Sequence, residues 1–87
     1  MLPGATDRLF LHFCRTGSAR SLGKVFDRTA PELLRVAIYL SGNRADADDL
    51  VQRTFLTAIE SRASHDRARR AMPWLLGILA NLARRLQ

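Results

Sequence analysis

The stretch DADDLVQRTFLTAIE, residues 46–60, divides into two faces once it is wound at 3.6 residues per turn. Ala47, Leu50, Val51, Thr54, Phe55, Ala58 and Ile59 fall on one side, which is expected to be a core face. The other side carries Asp49, Gln52, Arg53, Leu56 and Glu60, a polar stripe with one bare leucine in its middle. Asp46 is the candidate N-cap, and Asp48 and Asp49 occupy the first turn, where the helix dipole favours acids. A helix with so clean a division needs partners for both faces.

Three further helical segments supply the inner partner, and no stretch alternates well enough to form a strand. The first runs from about Thr6, a candidate N-cap, through Leu9, Phe10 and Phe13 to Gly17, a helix stop. A second begins near Ser18 or Ser21 and carries Leu22, Val25, Phe26, Thr29, Leu33, Val36, Ala37 and Leu40 before Ser41-Gly42-Asn43 ends it. Pro31 lies inside that pattern, where it removes a donor and crowds the preceding turn, so a kink or a re-start is expected there. After the opening helix comes a polar, arginine-rich segment, residues 61–72, read as a loop. The last helix, residues 73–86, starts at Pro73 as its first helical position. Its core stripe is Leu75, Ile78, Leu79, Leu82 and Leu86, and its other side shows Trp74, Gly77, Asn81, Arg84 and Arg85. The expected fold is all-α, a three- to four-helix bundle forming one domain over residues 1–87.

Composition agrees with that reading. At 87 residues, 47% hydrophobic and 25% charged, the chain is long enough for one small core without disulfides or metal. A single cysteine, Cys14, excludes a disulfide framework and fits a reducing cytoplasm. The apolar run MPWLLGILA, residues 72–80, is about half of the ~18 residues that suggest a membrane span. No secretory signal is evident at the N-terminus, so the expected setting is soluble and cytoplasmic.

Charge is unevenly placed. The net +6 rests on thirteen arginines and one lysine. Residues 1–61 hold eight bases against seven acids, whereas residues 62–87 hold six arginines against Asp66 alone. A basic block of this kind attracts polyanions by Coulomb steering and counterion release, which makes nucleic acid the leading partner class. A solvated arginine-rich surface is the alternative reading of charge alone.

Catalytic and metal-binding patterns are not found. His12 and His65 lie in different segments without ligand spacing to each other or to Cys14. A calcium loop starting at Asp46 would need glycine and glutamate where Val51 and Thr57 stand. No cofactor is implied, and an enzyme is not expected.

Three blocks carry a family resemblance in order: SLGKVFDRTAPELLRVAIYLSGNRADADDLVQRTFLTAIE, then the basic loop, then PWLLGILANLARR. The combination D-D-L-V-Q-x-T-F followed by W-L-x-x-I-x-x-N resembles region 2 of bacterial RNA polymerase sigma factors, of the extracytoplasmic function (ECF) group. The resemblance implies a transcription initiation domain whose helix at residues 46–60 docks on the clamp helices of the polymerase's largest subunit. Asp49, Gln52, Arg53 and Leu56 are the residues expected to carry that contact. It also implies that the basic loop and the outer side of the last helix open the promoter's −10 element and hold an unstacked base of the non-template strand. Arg67, Arg69 and Arg70 would contact phosphates, Asn81 a base edge, and Arg84 and Arg85 the continuing backbone. Trp74 stands at the family's tryptophan position, where anchoring the loop is the favoured role over stacking on DNA.

Departures from the family pattern bear on function. An acid is common where Arg53 stands, an aromatic near Ala71 or Met72, and a base where Gly77 stands. Family members continue to a second helical domain, region 4, that reads the −35 element, and the 87 residues have no counterpart of it. The expectation is therefore an excised or truncated sigma-like domain. The rival expectation is a helical interaction module that docks on polymerase or an anti-sigma factor, or self-associates, without melting promoters.

Overall fold

The computed structural model describes residues 4–65 and 70–86. Four α-helices follow one another: α1 (Ala5–Thr16), α2 (Ala19–Ser41), α3 (Arg44–Glu60) and α4 (Ala71–Arg85), with one 3₁₀ turn at Arg62–Ser64. Among the described residues there is no strand, and the all-α bundle expected from periodicity is what forms. No helix among them is long and apolar enough to cross a membrane.

Local chemistry sets most of the helix ends. Gly17 and Gly42 close α1 and α2 in the left-handed region, at φ 74° and 86°, where a side chain would be strained. Ser18 starts α2 as its N-cap, its hydroxyl accepting from the Ser21 amide at 3.2 Å. Helix α3 begins earlier than the acids suggested. Its N-cap is Asn43, not Asp46: Asn43 Oδ1 accepts the Asp46 amide at 2.9 Å while Asn43 Nδ2 donates to Asp46 Oδ2 at 2.8 Å. An amide can accept and donate at once, so the pair satisfies two groups where a lone aspartate cap would satisfy one. Helix α1 starts at Ala5 with Gly4 as its cap residue, two residues ahead of the expected Thr6 cap.

Pro31 causes no re-start, and α2 runs through it from Ala19 to Ser41. Both Pro31 and Asp27, whose carbonyl loses its donor, are exposed, so solvent can replace the missing bond.

Helix α2 is the central element, packing against α1, α3 and α4. The core is Phe10 and Phe13 of α1, Val25, Leu33 and Ala37 of α2, Ala47, Leu50, Val51, Phe55 and Ala58 of α3, and Ala71, Leu75, Leu79 and Ala83 of α4. On α3 the expected face is buried except for Ile59, which is 44% exposed. On α4, Leu75 and Leu79 are buried, Ile78 and Leu82 are half-buried, and Leu86 is 54% exposed. Leu86 follows Arg85, the last helical residue. Phe26 and Leu40 of α2 are likewise exposed. Two buried hydroxyls are satisfied within their own helices, Thr29 donating to the Val25 carbonyl and Thr54 to the Leu50 carbonyl, both at 2.8 Å.

Candidate polymerase and nucleic-acid interfaces

The polar stripe of α3 lies on the side away from the core. Asp49, Gln52, Arg53, Leu56 and Glu60 are all exposed, and Leu56 is 59% exposed. Asp49 Oδ2 and Arg53 Nε pair at 2.7 Å across one turn, in the acid-before-base order that suits the helix dipole. Such a solvated pair contributes at most about 1 kcal/mol to stability, so its value is in holding two side chains in a fixed position. The stripe is bordered by apolar surface that the sequence reading assigned to the core. Ile59 lies one turn from Leu56, and on the α2 side a hollow of about 200 Å³ is lined by Phe26, Ala30, Leu34, Asp48, Val51 and Gln52. Phe26 covers Phe55 edge to face, at 4.9 Å between ring centres. The signal for Ile59 was its position about 40° beyond Phe55, at the edge of the buried arc.

The expected DNA side is built on α4. Helix α4 starts at Ala71, two residues before the Pro73 start, because a distant group caps it. Asp7 of α1 accepts the Ala71 amide through Oδ1 at 2.8 Å and pairs through Oδ2 with Arg70 Nε at 3.5 Å. Pro73 thus falls at the third helical position, where its absent N–H would have had no partner within the helix. Arg70 is exposed and stands at the helix start, while Arg67 and Arg69 lie outside the described residues. Asn81, Arg84 and Arg85 are exposed in the last turns, roughly 16 Å or more from Arg70 along the axis. Exposed Gly77 lies between these two basic ends, with open space where a side chain would project. Arg84 Nη2 donates a hydrogen bond to Asn81 Oδ1, which leaves the Asn81 amide nitrogen as its outward donor.

Trp74 is half-buried and packs on Phe10 at 5.4 Å and on His65 at 4.8 Å between ring centres, as an anchor would. His65 is itself 8% exposed and meets Phe10 edge to face at 4.9 Å. On the other side of the turn, Arg62 Nη1 donates to the Cys14 carbonyl at 2.8 Å, placing a cation at the C-terminus of α1. Helix α1 therefore holds the described residues on both sides of segment 66–69: Arg62 and His65 before it, Arg70, Ala71 and Trp74 after it. Sequence reading missed Asp7 and Arg62 because their partners are 64 and 48 residues away. Among the described residues no group of three acids, histidines or cysteines could hold a metal ion.

The fold is a small all-α bundle with an exposed polar stripe on α3 and exposed arginines toward both ends of α4. The chain belongs to the Sigma-70 region 2 family, whose sequence profile matches residues 25–86. Among curated proteins it is similar to the RNA polymerase sigma factor CarQ of Myxococcus xanthus, 39% identical over 70 residues, which is 80% of this chain and 40% of that protein. It is also similar to the ECF RNA polymerase sigma factor EcfG of Rhodopseudomonas palustris (strain TIE-1), 46% identical over 54 residues, or 62% of this chain and 30% of that one. The chain thus spans less than half the length of either relative. No solved structure matches it. The family and these relatives together support a sigma region 2 like that of ECF sigma factors.

Proposed function

We propose that this domain binds core RNA polymerase through the outer face of α3 and recognises and opens the promoter −10 element with α4 and the segment before it. The observation that carries the reading is Leu56, an exposed leucine framed by Asp49, Gln52 and Arg53 on the side of α3 opposite the core. An apolar residue ringed by hydrogen-bonding and charged groups is the form of a small docking site. On α3 the docking partner is the pair of clamp helices of the polymerase's largest subunit. On α4, Asn81 bonds a base edge of the non-template strand, and Arg70, Arg84 and Arg85 contact its phosphates. Arg67 and Arg69 share that role from the loop. Trp74 serves the DNA side by anchoring the loop on Phe10. The domain acts in the cytoplasm without catalysis or cofactor of its own.

A second reading, an interaction module that docks on polymerase or an anti-sigma factor without melting DNA, is favoured by one feature: the DNA-side groups are partly engaged within the chain, Asn81 by Arg84 and Arg70 by Asp7. Binding to matched and scrambled −10 single strands, measured beside binding to the isolated clamp helices, decides between them. Clamp-helix binding with equal affinity for the two strands overturns the promoter-reading role and leaves the interaction module.

A further inference from the structure

Away from α3 and from the outer face of α4, the packing of α1 on α2 leaves a groove of about 390 Å³. Its floor is apolar or neutral, Leu9 and Ser21, and its walls are basic: Arg8 and His12 from α1, Lys24 and Arg28 from α2. No described carboxylate lines it. On the α2 wall Lys24 and Arg28 are an i, i+4 pair of cations, the spacing at which like charges on a helix repel and destabilise it. Arg20, exposed one turn before Lys24, extends the α2 row. A neighbouring hollow of about 370 Å³ shares Arg28 and reaches Arg70, Met72 and Pro73 at the start of α4. Its one carboxylate, Asp7, is committed to the Ala71 amide and to Arg70. The row of cations thus leads from the α1–α2 groove to the N-terminal end of α4.

We propose that the α1–α2 groove is a second phosphate track, in which Lys24 and Arg28 take backbone phosphates of the single strand that passes the start of α4. The inference rests on nucleic-acid binding by this domain, but not on sequence reading by Asn81. A repulsive row of cations over a neutral floor is relieved by a polyanion, and successive phosphates offer charges at a repeat that a row of side chains can follow. Much of the groove is built by α1 and the first turns of α2, which precede the stretch matched to the family, residues 25–86.

The test is single-strand DNA binding by the full chain across a salt series. It compares Lys24→Glu with Arg28→Glu against an equal charge change at exposed positions outside the groove, Arg35→Glu with Arg44→Glu. The groove pair should lose tenfold or more in affinity at low salt. Its plot of log affinity against log salt should flatten by about 1.4, the value for two phosphate contacts to a single strand. The control pair should move neither quantity appreciably. Equal shifts in both double variants would mean that bulk charge alone is sensed and would overturn the groove. Should circular dichroism show that the glutamate pair has unfolded, Lys24→Gln with Arg28→Gln makes the same comparison with a gentler change. Displacement of the strand by inorganic tripolyphosphate at equal phosphate concentration would assign the groove to a small polyphosphate and overturn the strand. Equal binding of matched and scrambled strands refutes promoter reading yet leaves the groove's slope measurable, and absence of any strand binding refutes both.

Discussion

Leu56 and Asn81 are each the odd member of their face, and each tests one half of the proposed function. Leu56 is desolvated if α3 docks, so Leu56→Ala should weaken binding to the clamp helices by about 1 kcal/mol or more. Helix content by circular dichroism should not change, because a 59% exposed side chain contributes little to the core. Unaltered affinity would remove Leu56 from the interface. Asn81 carries no charge among Arg84 and Arg85, so Asn81→Ala should leave binding to a scrambled strand nearly intact. Its preference for the matched strand should fall by roughly 1–3 kcal/mol, the discrimination of one good base contact. Competition between the two strands for the same protein measures it directly. At this scale the sequence was informative where helical periodicity alone decides, as for Leu56. It was uninformative where the width of the buried arc decides: Ile59 has the residue type of a core position, but burial depends on packing by neighbours, and it stays 44% exposed.

Helix boundaries depend on which polar group reaches a free amide, and only neighbours along the chain announce themselves. Ser18 and the two closing glycines were legible because cap and capped group are a few residues apart. Asn43 and Asp46 are equally good caps by type, and their reciprocal pair resolved the choice. The start of α4 was not legible, since Asp7 caps it from another helix. Asn43→Ala and Asp7→Ala should therefore cost comparable stability, about 1 kcal/mol each, measured as the change in urea unfolding free energy. They should differ in consequence. Asn43→Ala affects only the α2–α3 corner, whereas Asp7→Ala also releases Arg70 and should change the salt dependence of strand binding. If Asp7→Ala matched the parent chain in both stability and salt slope, the cross-helix cap would have no energetic role.

For the molecule as a whole, the amphipathic faces were enough to foresee an all-α bundle, but not that α1 would hold the segment between α3 and α4. Phe10 is where those roles meet. It is 1% exposed, lies 6.0 Å from Phe13 between ring centres, and receives both His65 and Trp74. Truncating a buried phenylalanine costs about 3–5 kcal/mol, a large share of the ~5–15 kcal/mol that holds a domain together. Phe10→Ala should accordingly lower the urea midpoint severely. Phe10→Leu, which keeps most of the volume but loses the ring contacts to His65 and Trp74, should cost less. The informative comparison is made below the unfolding transition, by the fluorescence of Trp74, the one tryptophan in the chain. In Phe10→Leu its emission should move to longer wavelength and its quenching by iodide should rise while helix content stays at the parent value. That combination would show that α1 positions the loop's anchor separately from supporting the bundle. Emission unchanged in a folded Phe10→Leu chain would mean that His65 and the rest of α4 suffice to seat Trp74, and that α1 contributes to the core alone.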